Sequence, residues 1–277
     1  MKINPYFYYI SPFACLILIL VITMFGIWLR RNNSSTTSKH RIPKVIHKVY
    51  IEHSMNLPNS LPFEIKKAHD SWRHMNPGYK IKTYGGNDCE KYLLKHFGKR
   101  HVDAFMKLKP YSYKCDFIRF AIIYNEGGIY TDWKTVCHKP IDHMILTDDT
   151  KWISSWDVVR SNMWTGFFVS APKSPILKTA IDMCLYNIEN NVFGKSCLEP
   201  TGPVLFGNAF LKHYPKYEFG KQINENGIIL GEFKPTNIYF NNDLYLQSKC
   251  NECSQTQDWD KGNNYVKMWM HRDIYRT

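Results

Sequence analysis

The chain has 277 residues, 44% hydrophobic and 22% charged, and a net charge of +12. That composition excludes a disordered, collagen-like or polytopic membrane protein, and it suffices for one good core. Five basic side chains (Lys2, Arg30, Arg31, Lys39, Arg41) and no acidic one lie in residues 1–41, so the remaining body is only moderately basic. Its sign alone does not choose among an anionic small molecule, a membrane surface and nucleic acid; no recognised nucleic-acid motif is present, and nucleic acid is not an expected partner.

The first element is apolar. No charge falls between Lys2 and Arg30, and Phe13 to Leu29 is almost unbroken hydrophobic sequence, with Tyr6, Phe7, Tyr8 and Tyr9 at one end and Trp28 at the other. This pattern predicts one N-terminal transmembrane helix using residues 10–29, within a membrane anchor over 1–30. A cleaved signal peptide is the alternative, but only Lys2 precedes the run and no clear small-x-small site follows. Residues 31–41 read as a polar stem, in which Asn32 and Asn33 each begin an N-x-Ser sequon. The arginines after the helix favour a cytosolic body.

Residues 42–277 read as one domain of alternating strand and helix. Strands are expected at 42–51 and 81–86, and a helix at 88–97 with Asp88 at the N-cap. Residues 111–126 space Phe117, Phe120, Ala121 and Tyr124 helically and stop at Gly127 and Gly128, after which a strand at 129–130 runs into Asp132. Strands at 151–155 and 164–170 and helices at 175–190 and 203–213 follow. Alternation of this kind predicts an α/β layer fold with its chemistry at the carboxyl ends of strands. Cys250 and Cys253 form an isolated CxxC, better read as a thiol pair or local disulfide than as a metal knuckle. Residues 265–275 read as a packed final strand.

The stretch YKCDFIRFAIIYNEGGIYTDWKT at 113–135 carries the most information. Asp116 and Arg119 are three apart on one helix and share a face, and the glycine pair returns the chain so that Asp132 emerges near them. Two carboxylates and a guanidinium suit a nucleotide sugar, because carboxylates accept from hydroxyls and a cation meets pyrophosphate. A surface ion pair with an unrelated strand-end aspartate is the plain alternative. His47, in the first strand, reads either as a nucleotide contact or as a satisfied structural histidine. Thr201 precedes Gly202 and Pro203 at a helix start, which either faces phosphate oxygens or is ordinary capping. Tyr130 and Trp133 flank Asp132, where an aromatic ring suits stacking on base or sugar.

IPKVIHKVY at 42–50, SWRHMNPGYKIKTYGGND at 71–88, the Asp-x-x-Arg helix with Gly-Gly-Ile-Tyr-x-Asp through Asp132, and EPTGPVLF at 199–206 together resemble glycosyltransferase family 32. That group has a DXD-containing sugar-binding region and includes yeast initiation-specific and inositol phosphoceramide mannosyltransferases. The resemblance implies a GT-A-type Rossmann-like nucleotide-sugar-binding domain over 42–277. It implies retaining transfer of a hexose from a nucleotide-diphosphate sugar to a glycan or glycolipid hydroxyl, and a Golgi or ER lumenal body. Carried over from the resemblance, Asp116 and Arg119 would contact the donor and Asp132 would bind ribose or sugar hydroxyls; the residue readings add Tyr130, Lys134, His47 and Thr201 to the donor site, with Asp132 and Lys134 catalytic.

The family's Mn²⁺ would fall to Asp132 if to any residue, because Lys134 stands where the second DXD aspartate belongs and a protonated lysine repels a cation. Either the ammonium replaces the metal on the leaving diphosphate, or the chain is a non-catalytic pseudo-transferase that binds a nucleotide sugar or carbohydrate. Asp132 recruiting a metal through waters is a third possibility.

Overall fold

A computed structural model describes residues 21–25, 42–144, 149–159, 162–250 and 263–277. The chain divides into two compact units, Met1–Lys39 and His40–Thr277. Within the first unit, residues 21–25 are helical and exposed. The rest of the expected membrane span and the stem lie outside the described residues. Among the described residues no helix is long and apolar enough to cross a membrane.

The second unit is α/β, built on a ten-stranded mixed sheet ordered β2-β1-β3-β6-β5-β8-β9-β10-β4, with β7 paired to β8. Its leading strands are β1 (Val45–Val49), β2 (Lys80–Tyr84) and β3 (Gly128–Thr131), and β1 pairs in parallel with both neighbours. The short β4 (Val136–Cys137) follows β3, and β5 (Trp152–Ser155) and β6 (Phe167–Ser170) come next in the chain. β6 is antiparallel to both β3 and β5. The later strands are β7 (Ile223–Glu225), β8 (Ile228–Lys234), β9 (Asn237–Phe240) and β10 (Asp243–Gln247).

The two-residue period of a strand sorts the core onto two faces. Tyr130 and Phe168 point to the face covered by α4 (Tyr111–Glu126), α5 (Pro175–Glu189) and α6 (Pro203–His213). Ile129, Phe167 and Val169 point to the other, with Trp72 of α1 (Phe63–Met75). Phe206 anchors the first face, with ring centroids 4.9 Å from Phe120, 5.1 Å from Phe168 and 5.6 Å from Trp152.

α2 (Gly86–Phe97) begins two residues before its expected start. Its Asp88 is not the N-cap: it sits at the third helical position and accepts from the Gly85 amide at 3.0 Å. Neither α1 nor α3 (Lys99–Lys107) is among the expected elements. The expected final strand is instead a helix, α7 (Tyr265–Met270), because Asn264 caps it by accepting from the amides of Val266 and Lys267 at 3.0 and 3.1 Å. Cys250 is disulfide-bonded; Cys253 lies outside the described residues.

Candidate donor-binding site

α4 and β3 build the site between them. The helix ends at Gly127 and Gly128, with φ of 69° and 96°. A Cβ on Gly128 would stand 2.6 Å from the Val45 carbonyl oxygen, so only glycine turns here without displacing β1. The reversal lays β3 beside the helix and delivers Asp132 next to Arg119.

Arg119 is the pivot. Its Nη2 lies 3.4 Å from Asp116 Oδ1 and its Nη1 lies 3.4 Å from Asp132 Oδ1. Nη1 also donates to the Thr165 carbonyl at 2.7 Å, Nε donates to the Cys115 carbonyl at 3.0 Å, and the guanidinium lies 4.6 Å from the centre of the Tyr130 ring. Burial opposes its charge, but Tyr130, Asp132 and Asp116 hold its pKa above the usual arginine range. The planar fork thus joins both carboxylates and two carbonyls, a set that no lysine could span.

Asp116 is buried and accepts from Thr201 Oγ1 at 3.1 Å, which brings the start of α6 against α4. Burial raises its carboxyl to about 6, with Arg119 opposing and Asp132 adding to the rise. A Cβ on Gly202 would stand 3.1 Å from the Leu198 carbonyl oxygen, tighter than ordinary contact. Asp132 is the more open carboxylate, its side chain 41% exposed. The Tyr130 hydroxyl donates to its Oδ1 at 2.8 Å.

Beyond Asp132 the chain makes a tight turn, closed by the Thr135 amide donating to the Asp132 carbonyl at 3.2 Å. Three other elements fasten it. Lys48 Nζ of β1 donates to the Asp132 carbonyl at 3.2 Å, Trp72 Nε1 of α1 to the Thr135 carbonyl at 2.7 Å, and the Cys250 amide to the Lys134 carbonyl at 3.0 Å. Lys134 is half-buried beside Asp132. Burial and the charge of Lys249 lower its pKa to about 8, against the pull of Asp132.

The structure therefore gathers Asp116, Arg119, Tyr130, Asp132, Lys134 and Thr201 but divides their roles. Arg119 and Tyr130 are buried and direct polar groups inward, Arg119 to the Thr165 and Cys115 carbonyls and Tyr130 to Asp132, so here they orient the carboxylates. Trp133 is likewise buried, stacked on His69 with centroids 4.9 Å apart. His47 is not part of the group. It is buried in mid-strand, its Nδ1 is 3.0 Å from the Tyr84 hydroxyl, and burial lowers its pKa to about 4.

Sequence reasoning missed Lys48 and Lys249. For Lys48 a signal existed, because a strand with parallel neighbours on both sides is covered on both faces, so any charge within it is buried. Lys249 carried none, since only the return of the chain after β10 brings it to the turn.

Residues 62–152 match the family model described as the glycosyltransferase sugar-binding region containing DXD motif. An uncharacterized glycosyltransferase of Acanthamoeba polyphaga mimivirus is 26% identical, over 76% of this chain and 80% of its own length. An initiation-specific alpha-1,6-mannosyltransferase of Candida albicans is 30% identical over 32% of this chain and 24% of its own. An inositol phosphoceramide mannosyltransferase of Schizosaccharomyces pombe is 24% identical over 66% of this chain and 55% of its own. Among solved structures, the PaToxG glycosyltransferase aligns with 68% of this chain and 77% of its own, at 16% identity and a TM-score of 0.45.

The residues at the turn do not fit the divalent cation associated with such a motif. Asp132 offers the turn's one carboxylate, with one oxygen already bonded to Tyr130 and faced by Arg119, and the motif's third position is a lysine, which cannot ligate a cation while protonated. Among the described residues no three His, Cys, Asp or Glu side chains come together as metal ligands.

Proposed function

We propose that this chain, whose residues 62–152 match the model of the glycosyltransferase sugar-binding region containing DXD motif, is a membrane-anchored hexosyltransferase of GT-A-type fold. It moves a hexose from a nucleotide-diphosphate sugar to a glycan or glycolipid hydroxyl. The observation that carries this reading is the Arg119 fork joining Asp116 to Asp132 at the carboxyl end of β3.

Asp132 accepts from ribose or sugar hydroxyls, and Arg119 and Tyr130 hold it in place. Lys134 meets the diphosphate and stabilises the charge that develops as it leaves. The start of α6, tied to Asp116 through Thr201, adds its amides on the same side. The acceptor hydroxyl attacks the anomeric carbon from the face the diphosphate leaves, its proton passing to the departing diphosphate oxygen, with retention. Asp116, the other carboxylate on the Arg119 fork, is buried, which favours front-face substitution over a covalent glycosyl-enzyme, unlike the paired carboxylates of retaining glycosidases. The disulfide at Cys250 supports a lumenal body, because disulfides persist in oxidising compartments.

The test is turnover by the purified full chain in detergent, over UDP- and GDP-hexoses with simple glycoside and glycolipid acceptors. Transfer by the wild type, its loss in Asp132→Asn, and an NMR spectrum showing retained anomeric configuration are the expected results. A nucleoside diphosphate that binds while no donor turns over would make the protein the pseudo-transferase instead.

A further inference from the structure

Lys48 carries a charge in a place that its fold does not require. It is 0% exposed, its Nζ sits 5.3 Å from the centre of the Trp72 ring and 6.0 Å from that of Trp133, and among the described residues it forms no ion pair. Among those residues its ammonium donates to the Asp132 carbonyl alone. An isolated buried ammonium is costly, and an apolar side chain of similar length is commonly neutral or stabilising in its place.

The surroundings show what the cost secures. Three buried polar atoms beneath the turn, Trp133 Nε1, His69 Nδ1 and Thr135 Oγ1, have no hydrogen-bond partner among the described residues. The turn is therefore held through its backbone carbonyls, by Lys48, Trp72 Nε1 and the Cys250 amide, and not by those side-chain atoms. Of the side chains and amides that capture its carbonyls, Lys48 alone brings a positive charge, on the carbonyl of the residue whose carboxylate is 41% exposed.

We propose that Lys48 is a positioning residue for donor binding: its ammonium holds the Asp132 carbonyl from beneath and so fixes the turn that presents the Asp132 carboxylate and Lys134 to the donor's diphosphate. This rests on the reading of that turn as the donor site. Burial lowers the Lys48 pKa to about 7, with Asp132 opposing, which marks a group held at an energetic cost. Charge brought by an anionic ligand to the surface above it offsets that cost, so the strain is relieved on binding.

The experiment measures Kd for UDP and for GDP by calorimetry, together with the thermal unfolding midpoint, on the full-length wild type, Lys48→Met and Lys48→Gln. Lys48→Met is expected to unfold at no lower temperature than wild type yet bind the better nucleotide at least about tenfold more weakly. Lys48→Gln, which keeps a donor for the carbonyl, should fall between the two. A merely structural residue would lose stability in step with affinity, and that result, with no recovery in Lys48→Gln, overturns the proposal. Wild-type affinity within twofold in Lys48→Met also overturns it, as does the same result in Lys48→Gln should the methionine variant not fold. If the wild type binds neither nucleotide, the reading of the site falls, and this inference with it.

Discussion

Asp116→Asn should leave a pH signature in stability that reports directly on how the two carboxylates are held. Asparagine keeps the shape of the side chain and an acceptor for Thr201 but removes the titration. In the folded protein the Asp116 carboxyl is raised from 3.8 to about 6 by burial, against the opposing pull of Arg119. A raised acid binds its proton more tightly folded than unfolded, so its contribution is fully present below about pH 4 and is lost as pH rises through about 6. A tenfold change in proton affinity corresponds to about 1.4 kcal/mol, and the rise spans roughly two such factors, so the whole loss is about 3 kcal/mol. The stability of Asp116→Asn relative to wild type should therefore climb by about 3 kcal/mol between about pH 4 and pH 8. Urea unfolding of both proteins across that range measures the difference curve, and any constant offset from the substitution cancels. A flat curve, or one that falls with pH, would refute the claim that Asp116 is held against its own charge.

Arg119→Lys keeps the charge but loses the fork, and the missing bonds to carbonyls and carboxylates should cost about 1–3 kcal/mol in urea unfolding and abolish donor turnover. Tyr130→Phe removes the hydroxyl that donates to Asp132, so stability should fall by about 0.5–1.5 kcal/mol, while kcat drops more than KM rises in steady-state assays. Gly128→Ala forces a Cβ against the Val45 carbonyl at a positive φ, and a cost of at least about 2 kcal/mol is expected in thermal unfolding. Phe206→Ala empties the aromatic cluster between sheet and helices, and should cost about 3–5 kcal/mol without changing KM in the protein that remains folded.

The site was legible where local chemistry and geometry coincide. The Asp-x-x-Arg spacing on a helix, a glycine pair and a strand of known direction suffice to bring Asp116, Arg119 and Asp132 together, because each step follows from backbone periods and turn sterics. α4 matches its expected bounds for the same reason, with Pro110 before it and Gly127 after it. What the sequence could not convey was the direction each side chain faces once packed. Arg119 and Tyr130 turn out to be buried with polar groups bonded inside the protein, and His47 lies under the end of α4, near Glu126 and Lys82. Lys48 and Lys249 reach the turn only through sheet order and the return of the chain after β10. α7 escaped because its six residues carry too short a period to outweigh the β-propensity of Tyr265, Val266 and Trp269. Its Asn264 cap becomes decisive only when the preceding chain is docked, with the Asn263 side chain accepting from the Tyr111 amide at 2.7 Å.

Whether the Lys134 ammonium takes the part of a metal at the leaving diphosphate is tested most directly by one measurement. Donor turnover by the full-length wild type and Lys134→Ala is followed with EDTA and then with added Mn²⁺. Wild-type turnover is expected to survive EDTA, and Lys134→Ala to be inactive in EDTA although it is folded. Wild-type turnover that vanishes in EDTA and returns with Mn²⁺, with Lys134→Ala keeping wild-type rates, would contradict that role.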